Sequence, residues 1–225
     1  MRAFELAEAA GADGLEFDVR LDGEGNVVVF HDAELDRLCG RPGTLTELSA
    51  AERKALRVHP ASLGSQVRGE PIALFSEVLD AFDLELDIEI KSDRIGRSDE
   101  LVAAVAKQLA DSRSRLDRMM VSSFDPAVLL QLHHRLPDIA LAYIFHAEQP
   151  WAVRSGWVGR ALGVSLVHPQ HTLCTAAKVK EWHQAGMPIN TWTVDDPAEL
   201  ERLAEIGVDG VFANDPAAAI AVLTA

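Results

Sequence analysis

Two short runs of this chain carry acidic residues at strand spacing. In GLEFDVRL (14–21), Glu16 and Asp18 alternate with Leu15, Phe17 and Val19. In LELDIEIK (84–91), Glu85, Asp87, Glu89 and Lys91 alternate with Leu84, Leu86, Ile88 and Ile90. Successive side chains of a strand point to opposite faces, so each run separates a charged face from an apolar one. Inside a fold those faces would gather several carboxylates, which is costly unless they are paired or hold a cation. Carboxylate oxygens are hard donors suited to Mg²⁺, Ca²⁺ or Mn²⁺ rather than to a thiolate-seeking metal. A solvated charged face on an edge strand gives the same alternation, so spacing alone leaves both arrangements open.

A histidine and a lysine fall close to these carboxylates. VVVFHD (27–32) follows the first acidic run across the turn DGEGN (22–26), and two β-rich runs around such a turn predict a hairpin. A turn centred near Glu24 sets His31 opposite about Phe17, beside Glu16 and Asp18, where it could ligate or move protons. Lys91, two positions beyond Glu89, supplies either a cation for an anionic substrate or the counter-charge of a core pair.

The elements that must position these groups alternate along the chain. Residues 2–10 have helical spacing ended by Gly11, and TELSAAERKAL (46–56) reads as one helix with Thr46 as a cap, inside an irregular insertion at about 33–72. From residue 84 the rhythm is regular, with strands at 84–91, 119–124, 139–145, 162–168, 188–194 and 210–214. Helices are expected between them at about 98–112, 126–135 and 174–186, in a Trp-containing segment after 145, at 196–207 and at the end. Strands alternating with helices imply βαβ units and a parallel sheet. FELAEAAGADGLEFDV and LERLAEIGVDGVFAND share one pattern of helix, Gly, small residue, Asp-Gly and strand. The glycine after each helix suits a left-handed cap. With the first acidic strand the forward strands number seven, one short of a (β/α)₈ barrel, and the absent one is the first. An open doubly wound sheet needs no eighth strand, but no glycine-rich phosphate loop follows any strand.

GADGLEFDVRLDGEGNVVVFHD (11–32) resembles the glycerophosphodiester phosphodiesterase family, whose signature joins a Glu-x-Asp strand to a His-Asp closing the next. GEPIALFSEVL (69–79), DIEIK (87–91), VSSFD (121–125), INTWTVDDP (189–197) and GVDGVFANDP (207–216) continue it across essentially the whole chain. The resemblance implies a single TIM-barrel domain over 1–225 that hydrolyses glycerophosphodiesters to glycerol 3-phosphate and an alcohol. It implies Glu16, Asp18 and Glu89 as divalent-metal ligands and His31 as the acid for the leaving alcohol. It further implies Lys91 as a phosphate contact and Trp192 at the substrate mouth; His168, at a strand end, is a weaker pocket candidate. The family's first strand normally ends in His-Arg, which nothing here matches, and His133 and His134 lie in a helix pattern unsuited to replace it. An internal methionine taken as the start would explain this, as would a shortened protein.

Two other readings share these residues. One is another phosphodiesterase of the superfamily, such as a sphingomyelinase D-like enzyme, against which the lone Cys39 speaks. The other is a metal-binding barrel without catalysis, used for binding or assembly.

Composition narrows the partners. Lys+Arg 21 against Asp+Glu 35 leaves a net charge of −14 over 225 residues, which disfavours nucleic acid and anionic membranes. No apolar run approaches the roughly 18 residues of a membrane span. Two cysteines cannot build a disulfide scaffold, making the cytoplasm the default compartment. A small-molecule substrate is expected, and an unpaired sheet edge would allow a homo-oligomer.

Overall fold

In the computed structural model, residues 1–59, 69–92, 98–154 and 157–225 are described. The first acidic run forms β1 (Gly14–Leu21) and folds back as β2 (Val27–Val29), Val19 facing Val29 and Leu21 facing Val27. That register centres the turn on Glu24, as the sequence implied. Asp22 closes the turn by accepting the backbone N–H groups of Glu24 and Asn26 at 3.0 and 2.9 Å.

The parallel strands follow in chain order: β3 (Glu85–Ile90), β4 (Met119–Ser123), β5 (Ala140–Phe145) and β6 (Leu166–Pro169). The sheet order is β2-β1-β3-β4-β5-β6. Then β7 (Asn190–Thr191) and β8 (Gly210–Val211) pair in parallel, and bridges Val167–Ile189 and Gln170–Trp192 join β7 to β6. Residues from β1, β3, β4, β5, β6 and the segments just after β7 and β8 line one cavity. A flat sheet could not bring its two ends to one cavity, so the strands curve into an α/β barrel. Among the described residues no pairing joins β8 to β1, the interval where the strand count fell one short.

The helices are α1 (Arg2–Ala10); α2 (Asp36–Cys39) and α3 (Ala50–Ala55), both in the insertion; and α4 (Phe75–Ala81), α5 (Asp99–Asp111), α6 (Pro126–Arg135), α7 (Trp157–Leu162), α8 (Ala176–Gln184), α9 (Pro197–Glu205) and α10 (Pro216–Leu223). Three begin alike. Asp125, Asp196 and Asp215 each accept a first-turn N–H, and a proline follows each as the first helical residue. The carboxylate satisfies an orphan donor, and the proline has no N–H to waste there.

The repeated helix-to-strand pattern produces one repeated turn. Gly11 and Gly207 adopt φ of 90° and 82°, which glycine alone takes freely. Ala12 and Val208 then donate to the carbonyls of Ala7 and Leu203, both at 3.1 Å. Three residues past each cap, a Cβ on Gly14 would lie 2.9 Å from the Glu85 carbonyl oxygen, and one on Gly210 would lie 2.5 Å from Asn190 Oδ1. Both glycines therefore let a strand approach its neighbour closely.

Several expected boundaries move, and the strands expected at 188–194 and 210–214 shorten to Asn190–Thr191 and Gly210–Val211. The helix over 46–56 is broken into a 3₁₀ turn at Leu45–Glu47 and α3, because Ser49 restarts it. Ser49 accepts from Glu52 N–H while Glu52 accepts from Ser49 N–H, a reciprocal cap that Thr46 does not supply. The strand expected at 162–168 begins at Leu166, since α7 runs to Leu162 and Gly163 turns at φ 68°. The insertion's residues 60–68 lie outside those described. The rest builds a small second core of Val28, Phe30, Leu35, Leu45, Leu48 and Ile72 beneath the hairpin. Among the described residues no helix is long and apolar enough to cross a membrane.

Candidate active site

The parallel register of β1 and β3 sets Glu16 beside Asp87 and Asp18 beside Glu89. The charged faces read from alternation thus meet on adjacent strands inside the barrel, while the apolar faces join the helix-covered core. Ligand oxygens of Glu16, Asp18 and Glu89 all lie within 4.8 Å of one another. Lys91 Nζ sits among them, 2.6 Å from Glu89 Oε1 and 2.8 Å from Asp18 Oδ1. The donors are all hard oxygens, and among the described residues the ammonium of Lys91 is the counter-charge they hold, a set whose chemistry fits a divalent cation.

These carboxylates and their neighbours line a cavity of about 260 Å³ together with His31, Ser122, Phe124, Ile144, His168, Trp192, Thr193 and Phe212. All seven residues singled out from the sequence, Glu16, Asp18, His31, Glu89, Lys91, His168 and Trp192, thus face one space. The hairpin delivers His31, since Phe30 N–H bonds the Asp18 carbonyl at 2.9 Å and leaves the next residue at the rim. Trp192 donates its indole N–H to the His168 carbonyl at 2.9 Å and meets Phe124 edge-on at 5.6 Å. His133 and His134 lie exposed on α6, away from the cavity.

Electrostatics follow from crowding. Glu16 keeps part of its surface open to solvent. Even so, burial on its other sides, followed by the charges of Asp18, Asp87 and Glu89, pushes its carboxyl up to about 9. Burial also raises Glu89, against the pull of Lys91. For Lys91, burial disfavours the charge, but Glu89 and Asp18 outweigh it and the pKa rises. Deeper in the barrel Asp87 and His168 are both buried, with His168 Nδ1 3.4 Å from Asp87 Oδ2. Burial raises Asp87 to about 7 and lowers His168 to about 3, leaving the imidazole neutral. Among the described residues His168 Nε2 has no hydrogen-bond partner, so the cavity floor offers an unused polar atom.

Sequence reasoning placed Asp87 on the charged face without choosing it, although the alternation that found Glu89 found it equally. Ser122, Phe124 and Phe212 lie in the quoted runs VSSFD and GVDGVFANDP, yet nothing in those runs singled them out as site residues. They enter the cavity because strands distant in sequence curve around it.

Comparison with known proteins follows the same residues. Residues 1–218 match the family model described as the glycerophosphoryl diester phosphodiesterase family. A glycerophosphodiester phosphodiesterase of Caldanaerobacter subterraneus subsp. tengcongensis is 29% identical over 95% of this chain and 87% of its own length. One from Bacillus subtilis is 26% identical over 95% of this chain and 78% of its own. A solved structure from Silicibacter pomeroyi DSS-3, provisionally named a glycerophosphoryl diester phosphodiesterase, superposes with a TM-score of 0.90 at 26% identity, covering 100% of this chain and 87% of that one.

Proposed function

Because the chain belongs to the glycerophosphoryl diester phosphodiesterase family, we propose that its cavity hydrolyses glycerophosphodiesters to sn-glycerol 3-phosphate and an alcohol with the aid of a divalent metal. The observation that carries this reading is the meeting of Glu16, Asp18, Glu89, Lys91 and His31 around a single cavity. Glu16, Asp18 and Glu89 would hold the cation, which when bound supplies Lewis-acid charge to a phosphate oxygen. Lys91, already anchored between Asp18 and Glu89, adds a second positive charge against the phosphate. His31 at the rim gives a proton to the departing alcohol. Trp192 and, deeper in the barrel, His168 line the space that the substrate would enter.

Overall the ester P–O bond breaks, its electron pair leaves with the alcohol oxygen, and water supplies the new oxygen on phosphorus and the proton. The test is release of glycerol 3-phosphate from glycerophosphocholine by the purified chain, with and without divalent metal and with Glu89→Ala as control. Metal-dependent release lost in the variant is the expected result. No release from a folded chain that binds metal would overturn the claim that these residues suffice.

A further inference from the structure

An exposed histidine has no packing to fix its ring, and His31 keeps 57% of its side-chain surface open. Its order must come from bonds. Nδ1 lies 2.6 Å from Asp32 Oδ1, and the Arg37 fork grips the same carboxylate, Nε to Oδ2 at 2.7 Å and Nη2 to Oδ1 at 2.6 Å. Arg20 Nε holds the His31 carbonyl at 2.8 Å. Arg37 is itself carried by α2, whose preceding residue Leu35 is buried in the small core of the insertion with Phe30, Leu45 and Leu48. A continuous line therefore runs from the packing of the insertion through Arg37 and Asp32 to the imidazole.

Resting on the proposed hydrolysis, we infer that Asp32 and Arg37 are positioning residues for His31, and that the insertion serves to hold them. Asp32 accepts the Nδ1 proton, which fixes the tautomer and turns Nε2 to the leaving oxygen. Arg37 keeps the carboxylate ionised and stops it rotating; its two bonds hold Asp32 at about 2, well below the usual carboxylate range. In the step served, the ester P–O bond breaks and its electron pair goes to the alkoxide oxygen. That oxygen takes the Nε2 proton, and a neutral imidazole remains with Nδ1–H still bonded to Asp32.

The leaving group separates positioning from mere structure. An alkoxide needs the proton, whereas p-nitrophenolate departs without it. We expect Asp32→Asn and Arg37→Ala to lower kcat on glycerophosphocholine about 10- to 100-fold with little change in KM. On the p-nitrophenyl ester of glycerol 3-phosphate the loss should stay within about threefold. Guanidinium added to Arg37→Ala should restore part of the alkyl-ester rate. Equal losses on both esters, or none on either, would overturn the inference. Should the wild-type chain cleave neither ester, the proposed activity fails, and the ring nitrogens of His31 still decide the relay by ¹⁵N NMR. A dominant Nδ1–H tautomer in wild type that is lost in Asp32→Asn supports it, and an identical tautomer mixture in both overturns it.

Discussion

Lys91 Nζ stands 2.6 Å from Glu89 Oε1 and 2.8 Å from Asp18 Oδ1, two of the three carboxylates whose oxygens lie within 4.8 Å of one another. The lysine acts as the site's own cation, and a metal ion must share the carboxylates with it. Removing it by Lys91→Met leaves more uncompensated negative charge. Divalent-metal affinity should therefore rise about tenfold while turnover falls about 100-fold. Calorimetric titration alongside product release checks both. Metal binding weakened by the substitution would refute this account of Lys91.

Metal affinity should climb with pH. The Glu16 carboxyl, pushed up to about 9, holds a proton through neutrality that an incoming cation must displace. Affinity then increases until the pH passes that value. In Glu16→Gln the slope should flatten along with a large loss of affinity. Titrations in buffers of differing protonation enthalpy would count the proton released, and a count near zero at pH 7 would contradict the expectation.

Arg53, buried on α3, bonds Asp22 Oδ2 at 3.2 Å and the Ile72 carbonyl at 2.9 Å. Arg53→Ala would leave the Asp22 charge buried at the hairpin turn, at a cost of about 3–5 kcal/mol. Urea unfolding measures it. A loss under about 1 kcal/mol would show that the Asp22 bonds to Glu24 and Asn26 suffice without the arginine.

A second ion-paired cluster stabilises the barrel in a pH-dependent way. The Arg202 fork, then the His171 ring at 2.7 Å, hold Glu199 down at about 2. Its folded pKa lies below the unfolded value, so its contribution is complete above about pH 4.5 and is lost as pH falls toward 2. The melting temperature of wild type should drop more steeply between pH 5 and about 3 than that of Glu199→Gln. Parallel curves would remove Glu199 from the balance.

Much of this was legible in the sequence because strand alternation is a local property. Glu16, Asp18 and Glu89 declared their face within eight-residue runs, and the hairpin turn alone set His31 beside them. Lys91 was legible as a charge but not as a bridge between two carboxylates, since that depends on how β1 and β3 register. Phe212 and Ser122 share the cavity through barrel closure, a global property that no window of residues carries. Arg37 escaped notice for a similar reason. Its partner Asp32 is five residues away, and only the short helix α2 turns it back.

The paired Gly14 and Gly210 lie at the opposite ends of their strands from the catalytic mouth, where no Cβ fits against Glu85 or Asn190. Each acts as a steric pin that fixes how far its strand slides along its neighbour. A change at the mouth leaves both in place, whereas a methyl group at Gly14 would press on the Glu85 backbone and one at Gly210 would have to turn the Asn190 amide aside. The end of the barrel away from the mouth thus sets the strand positions, and the mouth end carries the chemistry they aim.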